Sequence, residues 1–307
     1  MSKTTQNCIK FNNNISVHGL DIGNATLIND KGLILDAKIT SKEPLKQTDK
    51  IIISGKTCYL GFGRYDTEYR KVAKEHYIDM LYGLLALSTD TVYNYIGLGL
   101  PLGQYKSDCE ELINLVLSND NKIVKVNDEI ERPIIIKDVE VFPEGVSTLK
   151  DDEQCIIIDL GGGTTDCGLV VNEHGKRKVI NPISIPKGTI KLYESFANRL
   201  NNKGLDLGLE DAERILNRGY LYKKDANDIN FAMDECNEFM EDLISRLQLN
   251  YNLKVYPISI TGGGGELLYN QLKNIEGIKE NLTLQPEPIK ANARNFYDLA
   301  LSVFEED

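Results

Sequence analysis

Between Ile156 and Val170 the chain reads IIIDLGGGTTDCGLV. Its two ends are apolar and rich in β-branched residues, the composition of buried strands. Its middle must reverse the chain, because Gly supplies the positive φ angles that tight turns require. A two-residue turn needs one or two glycines, and this one has three, flanked by Asp159 and Asp166. Successive amides in such a turn converge on one point and make a seat for an anion. A carboxylate beside an anion seat repels the anion unless a divalent cation lies between them. Mg²⁺ is held in this way, by one or two carboxylates together with phosphate oxygens and water. The stretch therefore predicts a hairpin binding phosphate and Mg²⁺ through Asp159, Gly161, Gly162, Gly163 and Thr164; the plainer alternative is a structural turn.

A second acid-and-glycine turn stands near the start, in LDIGNAT. Alone, Asp-x-Gly is a common hairpin signal, but paired with the later turn it predicts a phosphate role. Asp21 would share the metal, and Gly23, Asn24, Ala25 and Thr26 would offer amides and one hydroxyl. Four glycines, Gly262, Gly263, Gly264 and Gly265, separate an apolar strand from a helix in SITGGGGELL. A helix N-terminus attracts phosphate, and four glycines let a flat base or ribose approach the backbone. The spacing is neither the Walker A pattern nor GxGxxG. Glu144 follows Pro143 in VFPEGV. A Pro-Glu-Gly alone reads as an exposed turn, yet a carboxylate there could orient or deprotonate a water aimed at a terminal phosphate.

The same plan is laid down twice. ISVHGLDIGNATLINDKGLILDAKIT reads as strand, turn, strand, with a second turn at 29–32, and DKIIISGKTCYLGFG as strand, turn, strand. Val72, Tyr77, Met80, Leu81, Leu84 and Leu85 recur at helical spacing. TVYNYIGLGLP is a strand, followed by a helix around CEELINLVLS, then two or three strands before a boundary at the acidic KDDEQ, 150–154. Beyond it come hairpin strands, helices at TIKLYESFANRLN, LEDAERILN and INFAMDECNEFMEDLISRLQLN, the strand VYPISIT and a further helix. A loose duplication of such halves, facing each other, would bring both acidic turns to one cleft.

A formal net charge of −11 argues against generic binding to a nucleic-acid backbone, which needs a basic face. The N-terminal MSKTTQNCIKFNNNIS has no apolar core of signal-peptide length and no apolar run reaches membrane-spanning length, so a cytoplasmic protein is expected. The six cysteines, Cys8 among them, contain no CxxC pair and read as reduced, Cys155 and Cys167 as small apolar residues beside the hairpin. The three histidines form no ligand pattern.

LDIGNAT, GLPLGQY, VFPEGV, DLGGGTTD and ITGGGGELL, in this order, resemble the actin-like ATPases, whose superfamily also holds Hsp70-type chaperones and sugar kinases. Within it the chain looks most like the plasmid-partition actins of the ParM/StbA type. The resemblance implies an α/β actin-like fold of two RNase H-like domains with a nucleotide cleft between them. Residues 1–150 would be domain I, with a C-terminal helix over 290–307 packing back on it, and 151–289 domain II. It implies ATP or GTP with Mg²⁺ as ligands, Asp159 as a water-mediated metal holder, and Glu144 as the residue that positions the lytic water. Ribose and base contacts would come from Gly262–Gly265 and from helices near Lys187, Glu210 and Arg214. One departure stands out. The family's first loop carries a lysine seven residues after its Asp, and here that position is Ile28; Lys31 is the substitute offered by the turn.

The activity so implied is nucleotide hydrolysis coupled to head-to-tail polymerisation, segregating plasmid DNA through a small DNA-binding adaptor at a centromere, with no membrane partner. The alternatives are a monomeric kinase or chaperone-like ATPase, and a structural filament that hydrolyses slowly because Ile28 weakens charge compensation.

Overall fold

The first acid-and-glycine turn joins β1 (Ile15–Ile22) to β2 (Thr26–Asn29) in an antiparallel hairpin, with Asp21 opposite Ile28. The second joins β11 (Cys155–Leu160) to β12 (Thr165–Glu173), with Asp159 opposite Asp166. These turns head two separate sheets. The computed structural model describes residues 14–66, 68–150, 152–174, 176–222 and 226–306; Cys8 and Asp151 of the predicted boundary lie outside them. The chain divides into one unit of Met1–Lys150 with Pro286–Asp307 and another of Asp151–Gln285.

The first unit continues through β3 (Ile34–Asp36), β4 (Lys38–Thr40), β5 (Ile51–Ile53), β6 (Lys56–Leu60), β7 (Arg64–Tyr65), α1 (Tyr77–Ala86), β8 (Tyr93–Leu100), α2 (Leu102–Leu117), β9 (Asn121–Val126) and β10 (Arg132–Pro143). Among the described residues its sheet runs β3-β2-β1-β8-β10-β9-β5-β6-β4-β7. The hairpin between β5 and β6 turns at Ser54 and Gly55, both at positive φ (47° and 84°), the pattern of a type I′ turn. Helix α1 buries Tyr77, Met80, Leu81, Leu84 and Leu85, the face expected from their spacing. Val72, expected in the same helix, sits instead in a 3₁₀ turn at Lys71–Ala73. Lys74, extended at φ −64° and ψ 128°, ends that turn, and the inward ties of Lys71 described below hold it out of helical phase.

The second unit adds β13 (Lys176–Ile185), α3 (Thr189–Asn201), α4 (Leu209–Arg218), α5 (Asn230–Asn250), β14 (Ile258–Thr261), α6 (Gly265–Leu272) and β15 (Leu282–Leu284). Its sheet order is β13-β12-β11-β14-β15. The pairing repeats that of β3-β2-β1-β8-β10: two antiparallel partners on one side of the lead strand, then two parallel ones. The duplication is thus one of topology. Strand β11 is buried along its whole length, as a parallel-paired central strand must be.

The closing helix, α7 (Ala291–Glu306), belongs to the first unit and lies on β1 and β8. Gly19 and Gly97 are register partners on these strands. A Cβ on Gly19 would come 2.0 Å from the Ala293 carbonyl oxygen, and one on Gly97 would come 2.4 Å from that of Phe296. Only glycines leave the helix backbone room to lie this close. Phe296, Ala300 and Phe304 are buried under it.

Candidate functional site

In a sheet of parallel strands the carboxyl ends share one edge, where ligands bind in open α/β folds. In the first unit β1, β8 and β10 are mutually parallel, so Asp21, Gly99 and Glu144 arrive at the same edge. Glu144 is held there by its amide, which donates to the Leu100 carbonyl at 2.9 Å. The chain does turn at Pro-Glu-Gly, with Gly145 at φ 73°, but the turn is not exposed: Glu144 is buried. A cation explains how a carboxylate tolerates that position. Lys71, 1% exposed, places its Nζ 2.5 Å from Glu144 Oε1, 3.4 Å from Asp21 Oδ1 and 3.2 Å from the Gly99 carbonyl. Burial alone would lower the Lys71 pKa, but the charges of Glu144 and Asp21 outweigh it and hold it raised. The ammonium is therefore a permanent charge. Gly99 is needed beside it, since a Cβ there would press on the Phe296 ring and on Glu144 Cγ.

The turn after Asp21 is closed by the Gly23 amide donating to the Thr26 carbonyl at 2.9 Å. Ala25 accepts from the Ala37 amide at 2.8 Å, and Thr26 opens β2. The amides of Asn24 and Ala25 have no acceptor among the described residues. A second lysine, Lys74, reaches the Gly23 carbonyl at 3.4 Å. Lys31, the expected substitute for the missing loop lysine, does not come here: its ammonium donates to the Ser88 carbonyl at 2.5 Å. Ile28 is buried instead of facing a ligand. Beside this cluster Tyr77, also buried, has a hydroxyl with no partner among the described residues. Burial raises its pKa, as do Asp21 and Glu144, against the opposing charge of Lys71.

In the second unit the parallel strands β11 and β14 likewise end together. The Gly161 amide donates to the Thr164 carbonyl at 2.9 Å, closing the hairpin, while the amides of Gly162, Gly163 and Thr164 have no acceptor among the described residues. The Gly161 and Gly162 carbonyls accept, at 3.0 Å each, from the Thr189 and Ile190 amides that open α3. Gly188 permits that contact, because a Cβ there would lie 2.3 Å from the Gly162 carbonyl oxygen. Asp166 is occupied inside the hairpin, accepting from the Thr164 hydroxyl at 2.8 Å and from Ser184 Oγ. Asp159 is buried at the end of β11. Gly262, at φ 87°, makes room for it, since a Cβ would fall 2.3 Å from Asp159 Oδ1. The Gly264 amide donates to the Leu160 carbonyl at 2.8 Å, Gly263 is exposed, and Gly265 opens α6. The structure thus gathers Asp159, Gly161–Thr164 and Gly262–Gly265 within one unit.

The helix residues expected near a ribose or base are placed less convergently. Lys187 pairs with Asp242 of α5 at 2.6 Å and lies over the Phe239 ring. Glu210 and Arg214 are exposed on α4 and pair with each other at 3.7 Å. Among the described residues no three His, Cys, Asp or Glu side chains gather to cage a metal. The single carboxylate at the end of each lead strand fits Mg²⁺, which takes oxygen donors and shares its coordination with phosphate and water. The described cysteines are free, and burial pushes Cys155 and Cys236 up to about 12 and Cys167 well above its ordinary value. They behave as apolar residues.

Lys71 and Lys74 were not marked by sequence; Tyr77 was read there only as part of the apolar face of a helix, and Gly99 only as the first residue of GLPLGQY. Two lysines three apart in RKVAKEHY look like the solvated side of a helix.

Residues 39–146 match the family model described as the N-terminal domain of actin-like proteins. Over nearly the whole chain the structure superposes on solved actin relatives. A non-polymerisable quadruple mutant of pCBH ParM is 20% identical, with a TM-score of 0.74, over 94% of this chain and 100% of that one. The fold is the actin-like one. A 15-stranded ParM filament from Clostridium botulinum is 19% identical, with a TM-score of 0.72, over 94% of this chain and 99% of that one. Ta0583, an archaeal actin homolog in complex with ADP, is 17% identical, with a TM-score of 0.73, over 92% and 98%. No curated protein matches this chain. Among its described residues no helix is long and apolar enough to cross a membrane.

Proposed function

We propose that this chain is a nucleotide-dependent, filament-forming actin-like protein that hydrolyses ATP or GTP. The observation that carries the proposal is the Asp21–Lys71–Glu144 cluster at the carboxyl ends of β1, β8 and β10, beside a turn with unpaired amides. A buried carboxylate fixed by a neighbouring ammonium is a group that can orient a water or accept its proton. We take the two units as the two actin-like domains, and Asp21 and Asp159 each as a carboxylate that would offer oxygen to Mg²⁺. Mg²⁺, when bound, would neutralise charge on the phosphate oxygens. Gly161–Thr164 would receive phosphate on their amides, and Gly262–Gly265 would give the nucleoside a flat backbone to lie against. Filament formation is supported by the likeness to a solved ParM filament. Segregation of plasmid DNA through a DNA-binding adaptor is the role we assign to those filaments.

The test is direct. Purified protein at micromolar concentration, given ATP or GTP with Mg²⁺, is expected to become sedimentable and then to release phosphate in the same sample. Protein that stays monomeric with every nucleotide would reject the filament. Phosphate transfer to a small molecule by that monomer would favour a kinase.

A further inference from the structure

Two lysines reach the first turn, and their free hydrogen-bonding capacity differs. An ammonium carries three N–H donors. Lys71 has three acceptors around it: Asp21 Oδ1, the Gly99 carbonyl and Glu144 Oε1. A phosphate oxygen could reach it only by displacing one of them. Lys74 has the Gly23 carbonyl alone, at 3.4 Å, and no carboxylate pairs with it among the described residues. Yet Lys74 is only 5% exposed. Burying an ammonium without a counter-charge is costly. Burial, together with the Lys71 charge, pulls its pKa down to about 8, against the weaker opposing influence of Asp66, Glu144 and Asp21. The unpaired amides of Asn24 and Ala25 follow directly after Gly23, and the buried Tyr77 hydroxyl is unpartnered in the same cluster. An ammonium with unfilled donors thus stands beside two unpaired amides.

We propose that Lys74 is the phosphate-binding cation of the first turn, making the site favour the most highly charged nucleotide, while Lys71 positions Glu144. It stands where the turn itself offers Ile28 and rests on the nucleotide reading above. An anion arriving at the turn supplies the missing partner of Lys74 and holds its proton in place.

The experiment measures binding of the nucleoside, its diphosphate and its triphosphate, with Mg²⁺, to the full-length wild type, Lys74→Met and Lys74→Arg, at pH 7 and pH 9.5. Lys74→Met is expected to lose about ten- to a hundredfold in triphosphate affinity at pH 7 while holding the nucleoside as before. Wild-type triphosphate affinity should fall toward pH 9.5 as Lys74 loses its proton. Lys74→Arg, charged throughout, should keep its affinity at both pH values. Wild-type triphosphate affinity in Lys74→Met overturns the inference alone. So does an equal loss for nucleoside and triphosphate, which would mark a merely structural lysine. A wild type that binds neither adenine nor guanine nucleotides overturns the nucleotide reading and the inference with it.

Discussion

Lys74 sets a pH dependence of stability in the nucleotide-free protein. In the unfolded chain a lysine keeps its proton to about pH 10.4; in the folded protein Lys74 gives it up near pH 8. Between these values the unfolded state binds more protons, so this residue's contribution makes stability rise with pH. The rise can reach on the order of 3 kcal/mol, and it should vanish in Lys74→Met. Urea denaturation of both proteins at pH 7.5 and pH 10 measures the difference; parallel changes would show that Lys74 titrates as an exposed lysine does. Asp159 makes the complementary residue-scale case. Asp159→Ala should strongly reduce hydrolysis while nucleotide binding persists, because the amides of Gly162, Gly163 and Thr164 remain. Unchanged turnover would remove this hairpin from the chemistry.

At the scale of elements, the close seat of α7 matters most. Gly19 and Gly97 leave the surface of β1 and β8 bare, and the helix backbone fills the space a side chain would take. That contact also places Phe296 against Gly99, next to Glu144. Asn292 Oδ1 accepts from the Gly145 amide at 2.9 Å, so the helix fixes the loop carrying Glu144 as well. Gly97→Val should therefore act twice. Overpacking against backbone, which cannot rotate away, costs about 1–3 kcal/mol or more, and the shifted helix should slow hydrolysis. Chemical denaturation and phosphate release read the two effects. A variant as stable as wild type would mean that α7 can lift from the sheet at little cost.

For the whole molecule, the proposed cycle couples chemistry to assembly, and Glu144 separates them. Glu144→Ala leaves the turn amides and both lysines in place, so nucleotide binding and polymerisation are expected to survive. Hydrolysis should fall on the order of 10²–10⁴-fold. Filaments of the variant should then outlast wild-type filaments, because the nucleotide within them stays intact. Sedimentation and phosphate release followed together decide this; wild-type phosphate release would place the water-positioning group elsewhere. Removing Glu144 also leaves Lys71 with one fewer partner in a buried site, so some loss of stability is expected.

What the sequence alone determined lies in short stretches. The acid-and-glycine turns, the Ser54–Gly55 hairpin, the apolar face of α1 and the buried run of β11 are written in neighbouring residues, because turn geometry and side-chain alternation are local properties. The repeated plan of the two halves was legible for the same reason, although the sequence could not order strands as short as β4, β7 and β15. The tertiary structure alone decided which charges meet at the first turn. Lys71 meets Asp21 across 50 positions and Glu144 across 73, and no local pattern separates such a lysine from one facing solvent. The burial of Glu144, the diversion of Lys31 to Ser88 and the need for Gly99 and Gly188 likewise depend on what another segment brings into contact. A residue's propensity is set by its neighbours in the chain; its charge partner and its burial are set by neighbours in space.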